Sequence, residues 1–377
     1  MPDVKRKEDY IDVSKYYDYE RILSQKDSEG LVPSTYMIDT NRGDGKTTSF
    51  LIDALLRFYN NSYETVYLFR EKQECKMVPY MFEDVFNTYP ELSGEFKREE
   101  IADGIIQRYT LNGKPFALGV CLKDEDKIKR ISGLFFNATR AIFEEFQTES
   151  GKYLTNEAVK LQSIFTSMNR GGGKRDRNMK LIMLGNHISL LNPHYVMRGI
   201  HKKWNPSQRY YRGKGWVTEI HYNQSAAEEI QNSAMFRSFV DENGSNRYGN
   251  MISGDNYLFE AGTFIEQPVG RSHYLCTLKH NNEYFGVWEY YQQGVLYVSR
   301  KTAKYDQVII TFNAGDHSTN TMMLNRYSFQ FKLFKKAFEG GYLYFEDDRS
   351  KIAIFDILGL TLYPVSYTHL RAHETLM

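Results

Sequence analysis

The sequence lacks long hydrophobic runs and has few cysteines. No apolar stretch approaches the roughly 20 residues that a membrane-spanning helix needs, and the opening stretch MPDVKRKEDYIDVSKYYDYE is charged, without the apolar core of a signal peptide. The three cysteines, Cys75, Cys121 and Cys276, form no CxxC pair, which argues against a zinc knuckle and a disulfide framework. We therefore expect a soluble protein of a reducing cytoplasm, with no membrane contact.

An excess of charge of either sign is also missing, because 48 basic residues balance 47 acidic ones to a net charge of +1. Any affinity for a polyanion must therefore come from local basic clusters and not from the field of the whole chain. What the sequence does have is length and apolar content. Its 377 residues, 41% of them hydrophobic, are enough for two domains with separate cores.

Two kinds of periodicity follow each other along the chain. Before residue 200, short apolar strands alternate with helical segments, which is typical of an α/β sheet. Strands are predicted at STYMID, ETVYLFR, RAIFEEF and MKLIMLGN, and helices at TTSFLIDALLRFYNN and TNEAVKLQSIFTSM, the second with Thr155 as its cap. After residue 254 a period of two predicts strands at HYLCTLKH, EYFGVWEYY, GVLYVSR and QVIITF, followed by a helix at NRYSFQFKLFKKAFEGG.

These patterns predict three domains. An α/β domain is expected over residues 1–205, a small helical linker over 206–254 and a strand-rich α+β domain over 255–365. The linker prediction depends on the helical stretch AAEEIQNSAMFRSFV and the glycine- and asparagine-containing stretch DENGSNRYGN after it. Residues 366–377, SYTHLRAHETLM, resemble translated adapter sequence, and we set them aside as a non-native tail.

The stretch TNRGDGKT matches the phosphate-loop pattern GxxxxGK[ST] except at its first position, where Thr40 replaces glycine. Gly43 and Gly45 can supply the unusual dihedrals, Lys46 the charge and Thr47 a hydroxyl for magnesium. The predicted nucleotide-binding residues are Arg42, Gly43, Asp44, Gly45, Lys46, Thr47 and Thr48. The alternative is a plain Gly/Asp turn between a strand and a helix that is followed by Lys and Thr.

Two acidic residues, Glu144 and Glu145, lie near the end of the predicted strand RAIFEEF. An additional-strand P-loop ATPase needs one acid for magnesium and a second to polarise the attacking water, and we assign Glu144 to the first role and Glu145 to the second. A solvated acid pair at a strand end is the alternative. The strand KLIMLGN ends in Asn186, which we expect to sense the γ-phosphate, unless it is an ordinary turn asparagine.

A basic, glycine-rich loop, MNRGGGKRDRN, follows the second predicted helix. Arg170 in this loop is a candidate for a cation that reaches a neighbouring subunit's γ-phosphate, where the transition state spreads negative charge. The alternatives are a solvated basic loop and a loop beside DNA. DNA gripping by a motor must be independent of sequence, so phosphate contacts are expected. The candidates for these contacts are Lys174, Arg175, Lys202 and Lys203.

Taken in order, several stretches resemble the DNA-packaging motor ATPase of small tailed phages that replicate by protein priming. They are YERIL, TNRGDGKT, YLFREKQE, IFEEF, NEAVKLQSIFTSMNR, IMLGNHISLLNPHY and FGVWEYYQQGVLYV, and they span most of residues 19–345. The resemblance implies an additional-strand P-loop domain, a small linker domain, and a C-terminal domain similar to a ribonuclease H-type nuclease that has lost its metal-binding acids. It also implies roles for Lys46 and Thr47 at the phosphates and magnesium, and for Arg170 as a finger acting in trans.

The same resemblance implies how the protein is used. Its cofactors would be ATP and Mg²⁺. Its partners would be double-stranded DNA, the phage portal and, in some relatives, a structural RNA, in a homo-oligomeric ring expected to be a pentamer. Such a ring would work in the host cytoplasm, docked transiently at the portal vertex of the capsid. Thr40 and Glu144 depart from the family pattern, which has glycine and aspartate there, so weaker nucleotide affinity is expected.

Three competing functions stay open at this point. A terminase-type enzyme would keep a working nuclease in its second domain, with acids drawn from Glu283, Glu289, Asp306 and Asp316. A scaffold that binds nucleotide without hydrolysis would fit the departures at Thr40 and Glu144. A cellular helicase is the weakest of the three, because no second helicase-like P-loop domain follows.

Overall fold

The computed structural model describes most of the chain. The described residues are 5–13, 16–148, 153–154, 156–170, 176–190, 192–205, 207–238, 264–280, 282–303 and 308–358. They divide into two compact units. The first contains described residues up to 188 together with 204–238, and the second contains those of 189–203 and 264–358. Among the described residues, no helix combines the length and the apolar character needed to cross a membrane.

The strands and helices have the following bounds. The first unit contains β1 (Thr35–Thr40), β2 (Glu64–Phe69), β3 (Phe96–Ile101), β4 (Ile106–Leu111), β5 (Lys114–Cys121), β6 (Ala138–Phe143), β7 (Lys180–Gly185), β8 (Tyr210–Gly213) and β9 (Trp216–His221). The second contains β10 (Ser272–His280), β11 (Glu283–Tyr290), β12 (Val295–Ser299), β13 (Ile309–Thr311), β14 (Met322–Met323) and β15 (Leu343–Phe345). The helices are α1 (Tyr19–Leu23), α2 (Lys46–Asn61), α3 (Val78–Met81), α4 (Glu83–Thr88), α5 (Glu125–Ile128), α6 (Glu157–Met168), α7 (Pro193–Arg198), α8 (Ile200–Lys203), α9 (Gln224–Gln231), α10 (Ala234–Ser238), α11 (Phe329–Glu339) and α12 (Asp348–Leu358).

The sheet of the first unit has nine strands in the order β3-β4-β5-β2-β6-β7-β1-β9-β8. The six from β5 to β9 in this order are parallel, and antiparallel hairpins extend the sheet at both edges. Strand β7 is inserted between β1 and β6, which is the arrangement expected of an additional-strand P-loop domain. Because the central strands are parallel, the carboxyl ends of β1, β6, β7 and β9 lie at one edge of the sheet.

Helix α2 packs on this sheet through the apolar stripe that the sequence predicts. Its members are all buried: Phe50, Leu51, Ala54, Leu55 and Phe58. They belong to a hydrophobic core that includes Ile38 of β1, Ile142 of β6 and Ile182 of β7. Their spacing of three and four residues places them on one face, so burying that face seats the amino end of α2 at the carboxyl end of β1. The predicted strand–helix–strand unit at residues 35–69 is confirmed.

The sheet extends beyond residue 205, into the stretch predicted as a linker. The hairpin of β8 and β9 turns through Lys214 and Gly215, with Gly215 at φ 75°, and β9 pairs with β1. The basic residues between 198 and 214 obscured this extended segment in the sequence. The single helix predicted at AAEEIQNSAMFRSFV is two helices, α9 and α10. The predicted cap Thr155 lies outside the described residues, and α6 follows Asn156.

The second unit contains a six-stranded sheet in the order β14-β13-β10-β11-β12-β15. Only β11 runs antiparallel to its neighbours. The core packs Phe285 and Val298 of the sheet against Phe334 of α11 and Ile354 of α12. The four strands and the helix predicted for this region are confirmed. The strands β14 and β15 were not predicted, because two- and three-residue strands carry almost no periodicity, and the 11-residue helix α12 was also missed.

Gly185, the last residue of β7, leaves space for a neighbouring ring. A Cβ atom there would lie 2.6 Å from Cε1 of Phe146, whose side chain is fully buried and whose main-chain N–H donates to Leu184 at 3.0 Å. We expect Gly185→Ala to lower the free energy of unfolding by about 1–3 kcal/mol, because the buried ring cannot move aside without repacking. Urea unfolding followed by fluorescence measures this change.

Gly133→Ala is the matched control, because a Cβ atom at Gly133 meets nothing within 4 Å. We expect it to change the free energy of unfolding by about 0.5 kcal/mol or less. Equal effects of the two substitutions would contradict the packing of Phe146 on Gly185.

Candidate nucleotide site

The loop between β1 and α2 has the backbone that anion binding requires. Gly43 and Gly45 have φ angles of 83° and 71°, in the left-handed region that glycine adopts without strain. No side chain caps the amino end of α2, so the N–H groups of its first turn are available to a ligand, and the helix dipole favours a negative charge there. Loop and helix together form a site suited to phosphate.

This loop is packed against two other segments of the first unit. A Cβ atom on Gly45 would lie 2.5 Å from Cδ1 of Tyr16, and one on Gly43 would lie 2.9 Å from Cδ1 of Ile230 in α9. The main-chain N–H of Tyr17 donates to the Asp44 carbonyl at 2.8 Å. Glycine therefore suits both positions for two reasons, namely the dihedral angles and the close approach of the neighbouring side chains.

Helix α9 is also joined to the loop by side-chain hydrogen bonds. Asn223, its N-cap, donates from Nδ2 to Oδ1 of the buried Asp44 at 2.6 Å. The main-chain N–H of Asn223 donates to Oδ1 of Asn41 at 2.8 Å. The first helix of the predicted linker is thus attached directly to the phosphate loop.

Lys46 begins α2 with its side chain almost fully buried. Its Nζ donates to Oδ1 of Asn186 at 2.7 Å and to Oγ1 of Thr40 at 3.3 Å. Burial lowers the pKa of Lys46 to about 8, against the opposing effect of nearby Asp39, Asp44 and Glu144. Thr40, which replaces the first glycine of the motif, thus contributes its hydroxyl to the lysine.

The two predicted catalytic acids lie just beyond β6 and differ in environment. Glu144 is half-buried and accepts a hydrogen bond from the Thr47 hydroxyl. Burial, and secondarily the charge of Glu145, raise its pKa to about 7, with Lys46 and Thr47 acting in the opposite direction. Glu145 is exposed and has a φ of 50°. Such a backbone is uncommon for a non-glycine residue and often marks a functional site.

The Thr47 and Glu144 side chains fit a magnesium ion. Both present oxygen atoms, which Mg²⁺ prefers, and they are already hydrogen-bonded to each other. In the part of the chain that the structure describes, no group of three or more His, Cys, Asp or Glu side chains could hold a metal. The remaining ligands would therefore be phosphate oxygens and water, as is usual for Mg²⁺ with a nucleotide.

An arginine that the sequence analysis left unassigned holds the acidic loop in place. Arg70, directly after β2, donates from Nη1 to the Glu145 carbonyl at 2.8 Å and from Nη2 to the Phe146 carbonyl at 3.0 Å. Its Nε and Nη2 also bind both carboxylate oxygens of the fully buried Glu157, each at 2.8 Å. This planar two-point contact is geometrically specific. It links the loop after β6 to the first residue of α6.

A second set of buried side chains lies near Lys46 and was also not assigned from the sequence. It consists of Asp39 at the end of β1, Gln147 after β6 and His187 after β7. The Gln147 amide donates to Asp39 Oδ2 at 2.5 Å. The available signal was positional, since Asp39, Arg70 and His187 each lie at or just beyond the carboxyl end of a parallel strand.

Arg170 lies outside this group of side chains. It is exposed, two residues past the end of α6, and its Nε donates to the Thr166 carbonyl at 3.2 Å. Among the four predicted DNA contacts, the structure describes the side chain of Lys203 alone. Lys174 and Arg175 lie outside the described residues, as does the side chain of Lys202, whereas Lys203 is exposed at the end of α8 in the second unit.

The acids considered for a nuclease form no group of three or more within the described residues. Glu283 and Glu289 lie six positions apart on β11, so about 20 Å separates their Cα atoms. Asp316 is buried and accepts a hydrogen bond from the main-chain N–H of Asn282 at 2.8 Å. Asp306 lies outside the described residues. The pair on β11 cannot share one metal ion.

With this geometry established, the chain can be compared with known proteins. The family model of the podovirus DNA encapsidation protein (Gp16) matches residues 11–359. The DNA packaging protein of Bacillus phage phi29 is 24% identical over 350 residues, covering 89% of this chain and 95% of that protein. The DNA packaging protein of Bacillus phage B103 is 23% identical over 310 residues, covering 81% and 90%.

Solved structures show the same fold. A chain from the bacteriophage phi29 viral genome packaging motor assembly superposes with a TM-score of 0.59 at 19% identity, covering 92% of this chain and 99% of that one. A chain from the phi28 gp11 DNA packaging motor gives a TM-score of 0.52 at 15% identity, covering 94% and 99%. At these identities the likeness supports the fold alone.

The buried Lys46 makes stability depend on pH in a specific window. Its pKa falls from 10.5 to about 8 on folding, so between these values the unfolded chain holds a proton that the folded protein releases, and the free energy of unfolding rises with pH. Lys46→Met removes this contribution. We expect the stability difference, wild type minus Lys46→Met, to increase by up to about 1.4 kcal/mol per pH unit across that window.

Urea unfolding of both nucleotide-free proteins at pH 7, 8, 9 and 10 measures this difference, in which the titration of other groups cancels. A difference that stays constant with pH would contradict the desolvation of the Lys46 ammonium.

Proposed function

This chain belongs to the podovirus DNA encapsidation protein family, and we propose that it is an ATP-hydrolysing subunit of a ring that moves double-stranded viral DNA into a preformed capsid. The observation that carries the proposal is the convergence of three strand ends on one cation. The Nζ of Lys46, after β1, binds Asn186, after β7, and lies near Glu144, after β6. Cation, acids and polar sensor are the groups that nucleotide hydrolysis needs.

Each side chain of the site has a chemical task in this proposal. The amides of residues 42–48 and the Lys46 ammonium bind the phosphates, and Glu144 and Thr47 would hold Mg²⁺ between them. The charge that such an ion supplies would offset the negative charge of the phosphates. Glu145, exposed and on a strained backbone, orients the attacking water, and Asn186 contacts the γ-phosphate.

Arg170 is proposed to act on the nucleotide of a neighbouring subunit. It is exposed, and α6 connects it to the hydrolytic loop, because Glu157 at the start of that helix binds Arg70. The 12 residues of α6 span about 18 Å, so a change at the loop could reach Arg170 through a rigid element. The proposed partners are the portal, double-stranded DNA and, as the sequence resemblance implies, a structural RNA. The ring is proposed to be a pentamer, docked at the portal vertex in the host cytoplasm.

The second unit is proposed to be a vestigial ribonuclease H-like domain. Its strand order β12-β11-β10-β13-β14, with β11 alone reversed, supports this fold, and the separation of Glu283 from Glu289 supports the loss of cutting. We retain 206–254 as a linker domain in this proposal, although its first two strands are part of the ATPase sheet. A terminase-type enzyme with a working nuclease is the second candidate, and magnesium- or manganese-dependent nicking of plasmid DNA by the full chain would favour it.

Hydrolysis at subunit boundaries can be tested by mixing two inactive variants. Arg170→Ala is expected to lower ATP turnover by about 10³-fold or more, because it removes a transition-state cation, while nucleotide binding stays largely intact. Lys46→Ala is expected to abolish binding in its own subunit. Mixed rings of the two variants should recover turnover, because some boundaries then pair an intact Lys46 with an intact Arg170.

The assay is steady-state phosphate release in the presence of DNA and portal-bearing capsids. Arg98→Ala, an exposed arginine on β3, is the matched control and should keep wild-type turnover. Full activity of Arg170→Ala, or mixtures no more active than either variant, would rule out action in trans. If wild-type protein fails to bind ATP with magnesium at millimolar concentration, the motor proposal itself fails.

DNA gripping through phosphates predicts a salt dependence. Each side chain that neutralises a phosphate contributes about 0.9 to the slope of log affinity against log salt concentration. We expect Lys203→Ala, and separately Lys174→Ala with Arg175→Ala, to reduce that slope by about 0.9 per side chain removed. Fluorescence anisotropy with double-stranded DNA of unrelated sequences, at four salt concentrations, measures it.

Lys97→Ala on the exposed edge strand β3 is the control and should leave the slope unchanged. A slope that none of the substitutions alters would remove these residues from the DNA interface.

A further inference from the structure

A histidine that no motif assigns lies immediately behind the predicted γ-phosphate sensor. His187 follows Asn186 at the end of β7, and its ring is buried. Its Nδ1 lies 3.0 Å from Oδ1 of Asp39, and its Nε2 lies 3.2 Å from the carbonyl oxygen of His221. Each ring nitrogen therefore faces an oxygen acceptor.

These contacts connect three neighbouring strands. Asp39 is in β1, His221 is the last residue of β9, and the histidine extends from β7. Asp39 and His221 belong to directly paired strands, since β1 and β9 pair in parallel up to Thr40 and His221. The ring thus bridges from β7 across β1 to β9, at the edge of the sheet where the phosphate loop begins.

The loop that carries the acids is part of the same arrangement. Gln147 donates to the other carboxylate oxygen of Asp39 at 2.5 Å, and its Oε1 accepts from the main-chain N–H of Ile188 at 3.3 Å. The residue after the histidine is therefore held as well. Consecutive Cα atoms are 3.8 Å apart at fixed geometry, so these contacts restrict where Asn186 can be.

We propose that His187, bound to Asp39, is a positioning residue that holds Asn186 against Lys46, and that it thereby sets how the site distinguishes ATP from ADP. This inference rests on the proposed function. The Asn186 carboxamide is 2.7 Å from the Lys46 ammonium, and the γ-phosphate is the group that distinguishes the two nucleotides. Displacing Asn186 should therefore affect ATP and its hydrolysis, and leave ADP binding nearly unchanged.

Two amide substitutions separate the two ring contacts. The side-chain nitrogen of asparagine can take the position of Nδ1, so His187→Asn can keep the contact with Asp39 and lose the one with His221. The longer glutamine places its nitrogen near Nε2, so His187→Gln keeps the contact with His221 and loses Asp39. Each variant keeps one of the two ring contacts and loses the other, and both variants are uncharged at this position.

The experiment measures dissociation constants for ATPγS and ADP, with magnesium, and the steady-state kcat of each full-length variant. We expect His187→Gln to reduce the preference for ATPγS over ADP by about tenfold and to lower kcat, because an interaction with the γ-phosphate is misaligned. His187→Asn should stay within about twofold of wild type in both measurements. Equal losses for the two nucleotides, or equal losses for the two variants, would overturn the proposal.

A double-mutant cycle shows whether the histidine acts through its neighbour. In the Asn186→Ala background, His187→Gln should change the nucleotide preference no further, because the group that it positions is already gone. An additional loss of the same size in that background would overturn the proposal, even if one single variant folds poorly. Wild-type protein that binds neither nucleotide would instead contradict the proposed function.

Discussion

The burial of one cation, the Lys46 ammonium, is the constraint on which the first unit depends. A lysine placed out of water at the start of α2 needs hydrogen-bond acceptors and nearby negative charge, or its burial would be prohibitively costly. Thr40 and Asn186 supply the acceptors, and Asp39, Asp44 and Glu144 supply the charge. These groups come from β1, the loop after it, β6 and β7. Only parallel strands in the order β6-β7-β1 bring their carboxyl ends together around one atom. The strand order therefore determines which side chains surround the Lys46 ammonium.

The loop around this cation is held from both sides by hydrogen bonds. Tyr17, hydrogen-bonded to Asp44, belongs to an amino-terminal segment that is anchored by the buried Glu219 of β9 through both Tyr17 and Arg21. On the other side, the hydrogen bond from Asn223 to Asp44 attaches α9 to the loop. The same contacts attach α9 to the candidate nucleotide site.

The second unit differs from the first in its core and in its acidic side chains. Its sheet gains stability from an apolar core between β10–β13 and the helices α11 and α12, and its acids are scattered along β11 or, as with Asp316, occupied in a turn. Chemistry in the described residues of this chain is therefore concentrated at one sheet edge of the first unit. The family to which the chain belongs packages DNA.

The sequence alone determined the helices, turns and strands that depend on residues a few positions apart in the chain. The stripe from Phe50 to Phe58 predicted α2, the glycines beside Lys46 predicted the phosphate loop, and alternation predicted β10 to β13, because helices, turns and strands are set by residues a few positions apart. Sequence missed β3, which is exposed and charged and carries little pattern, the largely buried β4 and β5, and the hairpin of β8 and β9. It also missed Arg70 with Glu157, which are 87 positions apart, and Asp39 with His187. Only the tertiary structure decided these pairs, because the order of strands in a sheet, and hence which polar side chains share one buried space, is settled by long-range packing that no local pattern encodes.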